Sequence, residues 1–283
     1  MSLKRSGQSR KISSGVSILM KTLIYQYWYG SEPEPCAVAG KKAMEEYAAR
    51  IGAKYRYEHN PTFIAKMVSA WPSHYSALRP VFDVAFQYYD RVLFADMDIF
   101  PVKDLTENIF DCEVEDIGVC EEVGEPQFRA LDPKFDDEKW CNDVKQSRGG
   151  IIQRTEDGLP KIFNSGLVLY TKEGMKKARA NFSNMREHHS YFSQRYNQTI
   201  YFRDQSYINA NIISRAVDWT ILDPKWNTRL HYKPGTSGDN RPVIDNRNSD
   251  TCMVHMQLSG SGHWEESKLL EAVNNPVDTW SWR

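Results

Sequence analysis

The sequence predicts an α/β protein, a mainly parallel sheet flanked by helices. Three observations lead there. From residue 22 onward, β-branched and aromatic runs alternate with helix-favouring stretches, the strand, helix, strand order of a parallel sheet with helices on its faces. Several runs, such as residues 92–95 and 167–170, are continuously apolar rather than alternating, as strands buried on both faces are. Finally, 283 residues with 41% hydrophobic content supply the core of one large domain.

Residues 1–19 place Lys4, Arg5, Arg10 and Lys11 among Ser and Gly before a short apolar run. That run is too short for a secretory core or a membrane span. The expectation is a disordered or artificial leader, a domain over 20–283, no transmembrane segment and a cytoplasmic location. The first strand starts at Thr22 and is broken by Gly30, Pro33 and Pro35. Its end, Tyr25-Gln26-Tyr27, should open on the ligand-binding edge of the sheet. A helix over 36–51 and a strand over 53–58 follow.

Between Pro72 and Tyr89, the residues Tyr75, Leu78, Val81, Phe82, Ala85 and Phe86 recur at helical spacing, which predicts one amphipathic helix. It carries Arg79 next to the chain's sharpest feature, the apolar run from Arg91 that ends in Asp96-Met97-Asp98. In extended chain, side chains two apart share a side, so both carboxylates should aim together beyond the strand end. Ligands of open α/β sheets bind there, and paired carboxylates suit a hard divalent ion shared with substrate phosphates. The guanidinium of Arg79 is suited to a diphosphate.

A helical turn near 105–110 and a strand over 117–120 come next. Residues 121–160 are polar and turn-rich, which predicts a long functional loop. Within it, Phe128, Phe135 and Trp140 would either stack on an acceptor sugar or anchor the loop. Asn164-Ser165-Gly166 precedes the buried strand 167–170, and small residues there allow close ligand approach. A helix over 173–182 leads to His188 and His189, read as solvated. Asp204 is a natural N-cap for the next helix, with the Gln205 amide standing at its start. The last strand, 251–255, ends in His255 and is followed by a loop containing Gly260, Gly262 and His263. Imidazole beside two carboxylates suits Mn²⁺ better than Mg²⁺.

Other chemistries are disfavoured. A formal net charge of -1 gives no footprint for nucleic acid. Neither Gly-x-Gly-x-x-Gly nor Gly-x-x-x-x-Gly-Lys occurs, so any phosphates must be held by metal and side chains. Five scattered cysteines without a Cys-x-x-Cys pair fit a reducing compartment rather than a disulfide framework or structural zinc.

Taken in order, Tyr75-Ser-Ala-Leu-Arg79, Asp90 to Asp98, Phe163-Asn-Ser-Gly166, Asp204-Gln205 and His255 with the Gly260 loop resemble the nucleotide-sugar glycosyltransferases of the GT-A fold. The resemblance is strongest to the retaining family-8 group that includes glycogenin and bacterial galactosyltransferases. It spans residues 22–264 and implies a single domain with a mixed, mainly parallel sheet flanked by helices. It also implies Mn²⁺ (or Mg²⁺) held by Asp96, Asp98 and His255, and a nucleotide-sugar co-substrate, expected to be UDP-linked.

By the same resemblance, Tyr25, Gln26 and Tyr27 take the nucleobase, Asp96 also touches the ribose, and Arg79 and Asn164 contact diphosphate or sugar. Asp204 grips sugar hydroxyls and Gln205 sits at the anomeric carbon. The acceptor would be a hydroxyl of a glycan, protein or lipid-linked sugar. The family's loop lysine is missing, and His263 is its nearest counterpart, beside Gly260. Two other classes share these features: a sugar-phosphate nucleotidyltransferase, which would carry a Gly-rich first loop where this chain has Pro and Glu, and a non-catalytic sugar-nucleotide or glycan-binding module.

Overall fold

The computed structural model describes residues 20–62, 73–233, 243–258 and 261–275. The leader over 1–19 and Gly260 lie outside the described residues. The chain forms β1 (Thr22–Trp28), α1 (Pro35–Arg50) and β2 (Lys54–His59), then β3 (Arg91–Ala95) and β4 (Ile99–Pro101). Next come β5 (Ile117–Glu121), α2 (Glu125–Leu131), α3 (Asp137–Arg148), β6 (Phe163–Thr171), α4 (Lys172–Asn181) and α5 (Met185–Ser193). The chain continues through α6 (Asp204–Ile213), β7 (Trp219–Ile221), β8 (Thr228–Tyr232), β9 (Val243–Asp245), β10 (Met253–Gln257) and α7 (Glu266–Asn274).

A six-stranded sheet runs β2-β1-β3-β6-β5-β7. The pairs β1–β2, β1–β3 and β5–β7 are parallel, while β6 lies antiparallel between β3 and β5, so the sheet is mixed and mainly parallel. A second sheet, β4-β10-β8-β9, packs beside it. Alternate residues of β3 enter different cores: Val92 and Phe94 join Leu23, Tyr25 and Val168 on one face, and Leu93 and Ala95 join Ile24, Met44 and Met253 on the other. Its uninterrupted apolar text therefore reflects burial on both faces.

Because β6 is antiparallel to β3, Ala95 pairs with Leu167, and the residues just before Leu167 lie beside the residues just after Ala95. The ladder continues one step further, with the Asp96 N–H donating to the Gly166 carbonyl at 2.6 Å. Opposite β5, the register shifts between Val119, facing Val168, and Cys120, facing Asn164. Such a bulge re-aims side chains, and here it falls on Asn164-Ser165-Gly166.

Five local expectations change. The segment expected as one helix before β3 is three short pieces, Ser73–Leu78, Arg79–Phe82 and Val84–Tyr88, with only the middle one α-helical. Pro80 has no N–H to extend a helix, and Asp83 is extended with its carboxylate capping the Ala85 N–H. The presumed loop 121–160 contains α2 and α3. The first begins with Pro126 in its first turn, and the second is capped by Asp136 and stopped by Gly149 at φ 74°. Only Trp140, Cys141 and Val144 of α3 are buried, so its polar majority hides the period. Trp140 is an anchor, 5.7 Å from Phe192 and 6.0 Å from Tyr201 between ring centres.

His188 is buried rather than solvated. Its Nδ1 lies 3.0 Å from an Arg148 guanidinium nitrogen and its Nε2 3.2 Å from the Ser206 hydroxyl. Asp98 does not extend β3: Asp96 to Ile99 is a turn closed by the Ile99 N–H on the Asp96 carbonyl. His255 lies within β10 rather than at its end.

Candidate active site

Asp96 and Asp98 meet through the turn rather than the pleat. The turn is held from three sides: by the Asp96 N–H on Gly166, by the Gln26 amide donating to the Asp96 carbonyl at 2.9 Å, and by the Met256 N–H donating to the Asp98 carbonyl at 2.8 Å. The last bond joins β10 to the turn and sets His255 against the aspartates. One ligand atom from each of Asp96, Asp98 and His255 lies within 4.8 Å of the others, and His255 Nε2 is 3.3 Å from an Asp98 oxygen.

Two glycines make this approach possible. A Cβ on Gly166 would stand 2.7 Å from an Asp96 carboxylate oxygen and 2.9 Å from His255 Cε1. A Cβ on Gly40 of α1 would stand 2.0 Å from the Met97 carbonyl oxygen, so the helix seats the turn only because that position is bare.

The electrostatics fit a cation. Burial and then the neighbouring Asp98 charge push the Asp96 carboxyl up to about 7, with His255 pulling the other way. Burial disfavours charge on His255, but the Asp98 and Asp96 carboxylates outweigh it and raise its pKa. Two carboxylates and an imidazole that stabilise one another only by holding protons are a ready oxygen and nitrogen donor set for a divalent ion. The His255 ring is oriented for that role. Its Nδ1 is 3.1 Å from the Asn227 carbonyl oxygen, and its Nε2 is 3.2 Å from the Gln257 amide nitrogen. The Nδ1 contact with Asn227 orients the ring so that Nε2 faces Asp98 and is the nitrogen a metal would take once its proton is displaced.

The cluster opens on a cavity of about 670 Å³ lined by Tyr27, Trp28, Glu34, His74, Asp96 and Asp98, among others. That volume is in the range of small-molecule sites. Tyr27 stacks on Phe94 at 5.9 Å, and its hydroxyl donates to the His74 carbonyl. Asp204 is the first residue of α6 rather than its cap, which is Arg203. Its carboxylate accepts from the Ser165 hydroxyl at 2.9 Å. Burial raises its pKa, with His74 and the Ser165 bond opposing.

Other expected residues stand differently. Tyr25 and Gln26 are fully buried and do not line the cavity. Tyr25 donates to Glu58, and Gln26 props the turn that follows Asp96. Arg79 is paired with Glu58 and with Asp83 and does not line the cavity either. His263 is exposed, while its neighbours Ser261 and Gly262 line the wall. Asn164 and Gln205 meet at a residue the sequence reading passed over, the buried Glu122. Its two oxygens accept from the Asn164 amide at 2.8 Å and the Gln205 amide at 3.2 Å. Glu122 follows an apolar strand as Asp96 does, and that signal was present in the text. Asn227 and Gln257 carried none.

The family model described as glycosyl transferase family 8 matches residues 73–258, more than half of the chain. No curated protein sequence matches it. Similar solved structures include a glycosyltransferase involved in the glycosylation of the major capsid of PBCV-1, at 12% identity over 89% of this chain and 98% of that one, with a TM-score of 0.47. Mouse xyloside xylosyltransferase 1 is 13% identical over 75% of this chain and 88% of that one, TM-score 0.41. The bifunctional glycosyltransferase WbbM is 15% identical over 85% of this chain but only 46% of that one, TM-score 0.43.

Proposed function

Because this chain belongs to glycosyl transferase family 8, its activity is sugar transfer, and we propose that it moves a hexose-type sugar from a UDP-linked donor to an acceptor hydroxyl, with a divalent cation, Mn²⁺ before Mg²⁺, on Asp96, Asp98 and His255. The observation that carries the reading is the convergence of these three donor groups, two of which, Asp96 and Asp98, line the cavity. The anomeric configuration is retained, as in the family-8 group the sequence resembles.

When bound, the cation supplies Lewis-acid stabilisation of negative charge on the departing diphosphate. The protein's own groups do the rest. The Tyr27 and Trp28 wall offers the nucleobase an aromatic surface. Asp204, held by Ser165, accepts hydrogen bonds from sugar hydroxyls. The Gln205 amide nitrogen is engaged by Glu122, which leaves its carbonyl oxygen to face positive charge developing at the anomeric carbon. The bond from that carbon to the diphosphate breaks, a bond to the acceptor oxygen forms, and the acceptor proton passes to the departing nucleoside diphosphate. No covalent enzyme intermediate is assigned. Glycans, proteins and lipid-linked sugars are all chemically suitable acceptors. Among the described residues no helix is long and apolar enough to cross a membrane.

The test is release of nucleoside diphosphate from a panel of nucleotide sugars with Mn²⁺ and candidate acceptors. Transfer that needs Mn²⁺ and is lost in Asp98→Ala is expected. Pyrophosphate-dependent turnover would point instead to a nucleotidyltransferase, and donor binding without release to a binding module.

A further inference from the structure

Gln205 and Arg129 share the wall of a second, much smaller cavity of about 10 Å³, together with Trp140, Tyr201, Ser206 and Asn209. That is room for about one water-sized sphere. Arg129 is only 4% exposed. One of its terminal nitrogens donates to Asp137 at 2.5 Å, and the rings of Phe135 and Tyr201 lie 4.9 Å and 5.7 Å from the guanidinium carbon. Its Nε and its other terminal nitrogen have no hydrogen-bond partner among the described residues.

The remaining polar groups of the wall are already engaged. The Trp140 ring N–H donates to the Tyr201 carbonyl, and the Tyr201 hydroxyl donates to Asp137 while accepting from the Asp136 N–H. The Ser206 hydroxyl donates to the Arg203 carbonyl and meets His188 Nε2. The Asn209 amide nitrogen donates to the backbone carbonyls of Phe163 and Gln205, and its oxygen accepts from the Phe163 N–H. The Gln205 amide nitrogen donates to Glu122 at 3.2 Å, and its side-chain oxygen has no protein donor among the described residues. What is left around the cavity is two N–H donors and one carbonyl acceptor. Buried N–H groups without an acceptor lose their hydration and gain nothing in return, and a buried water, itself both acceptor and donor, answers that need. Phosphate and carboxylate ions are too large for the space.

We propose that this cavity is the binding site of a single ordered water, which accepts from the unpartnered Arg129 N–H groups and donates to the side-chain oxygen of Gln205, making Arg129 a positioning residue for Gln205. A carbonyl oxygen has two lone pairs, so one takes the water proton while the other faces the donor sugar. The Gln205 amide is then held at both ends, by Glu122 at its nitrogen and by the water at its oxygen. The positioning role rests on the sugar-transfer reading, whereas the water site does not.

The test is a crystal structure of the full chain at a resolution that shows ordered waters, with kinetics on two variants. Wild type is expected to show one water within hydrogen-bond distance of an Arg129 nitrogen and of the Gln205 side-chain oxygen. The double variant Arg129→Met, Asp137→Asn removes the buried ion pair as a unit together with every Arg129 donor. It is expected to lose the water and to show a kcat lower by about tenfold or more, the scale of one hydrogen bond to a charged group, with the donor KM little changed. Asp137→Asn alone weakens the same ion pair but keeps the Arg129 donors, so it should keep both the water and the kcat. A wild-type structure with no water between Arg129 and Gln205, or with Glu122 turned onto the Arg129 nitrogens instead, overturns the proposal whether or not the variants fold. A folded double variant with unaltered kcat overturns the positioning role, as does an equal loss of kcat in Asp137→Asn. A wild-type chain that transfers no sugar but holds the water, lost in the double variant, would retire the proposed function and leave the water site standing.

Discussion

Nε2 of His255 lies 3.3 Å from a carboxylate oxygen of Asp98, although one residue belongs to a turn after β3 and the other to a strand of the second sheet. The Met256 N–H on the Asp98 carbonyl makes this contact a property of the backbone. Loss of Asp98 should therefore remove a donor atom without unfolding the site. For Asp98→Ala the expected result is a melting temperature close to wild type, no stabilisation by Mn²⁺, and a fall in kcat of about 10²–10³-fold or more. Full turnover in this variant would remove the proposed cation from the reaction.

Gly166 should tolerate no side chain. A Cβ there would crowd Asp96, the Asn164 carbonyl oxygen and His255 at once, so Gly166→Ala must push the donor set apart. Overpacking of this kind typically costs about 1–3 kcal/mol. We expect a folded protein, by circular dichroism, whose Mn²⁺ affinity falls far more than its stability. Unchanged Mn²⁺ titration would contradict the close packing.

Binding of the cation should depend on pH with a definite sign. Without metal, Asp96 titrates at about 7 against an ordinary value of 3.8, and the His255 pKa is raised. Below neutrality both hold protons that a cation must displace, so Mn²⁺ affinity should increase as pH rises through about 7, with protons released on binding. The same raised carboxyl means that the folded, metal-free state binds the extra proton. Its contribution to stability should decline as pH climbs from about 4 to about 7. Calorimetric titration at pH 6 and pH 8 in buffers of different ionisation heat reads both the affinity and the proton count.

Arg79 offers a contrast. Its pairs with Glu58 and Asp83 are largely shielded from water, and its guanidinium sits 5.8 Å from the Phe86 ring centre. Arg79→Ala should lower stability by about 1–3 kcal/mol while leaving the donor KM close to wild type. A large rise in KM with unaltered denaturation would return Arg79 to the diphosphate.

The parts of this protein legible in its sequence were those fixed by short-range rules. Continuous apolar text announced β3 and β6, and the Pro and Gly breaks bounded β1 and α1. The aspartate pair stood out because charge rarely follows a buried strand without a use. What stayed hidden depends on pairing between distant segments. Nothing local states that β6 runs antiparallel to β3, yet that direction alone places Gly166 beside Asp96. The hydrogen bonding of Asn164 and Asn227 was equally silent, since an amide in the text says nothing of its partner. The pairing of Arg79 was hidden as well, because a guanidinium free to meet a diphosphate and one paired with carboxylates look identical until the neighbouring strand, which carries Glu58, is in place. The helix α3 was masked by its own polar face.

Two side chains of the turn after β3 and one from the second sheet are proposed to hold one cation. The most direct measurement is an anomalous difference map at the manganese edge from crystals grown with Mn²⁺ and uridine diphosphate. The account predicts one strong peak bonded to Asp96, Asp98 and Nε2 of His255, in contact with the diphosphate. A diphosphate bound in the cavity with no manganese among these three residues, or with the metal on Nδ1 of His255, would contradict it.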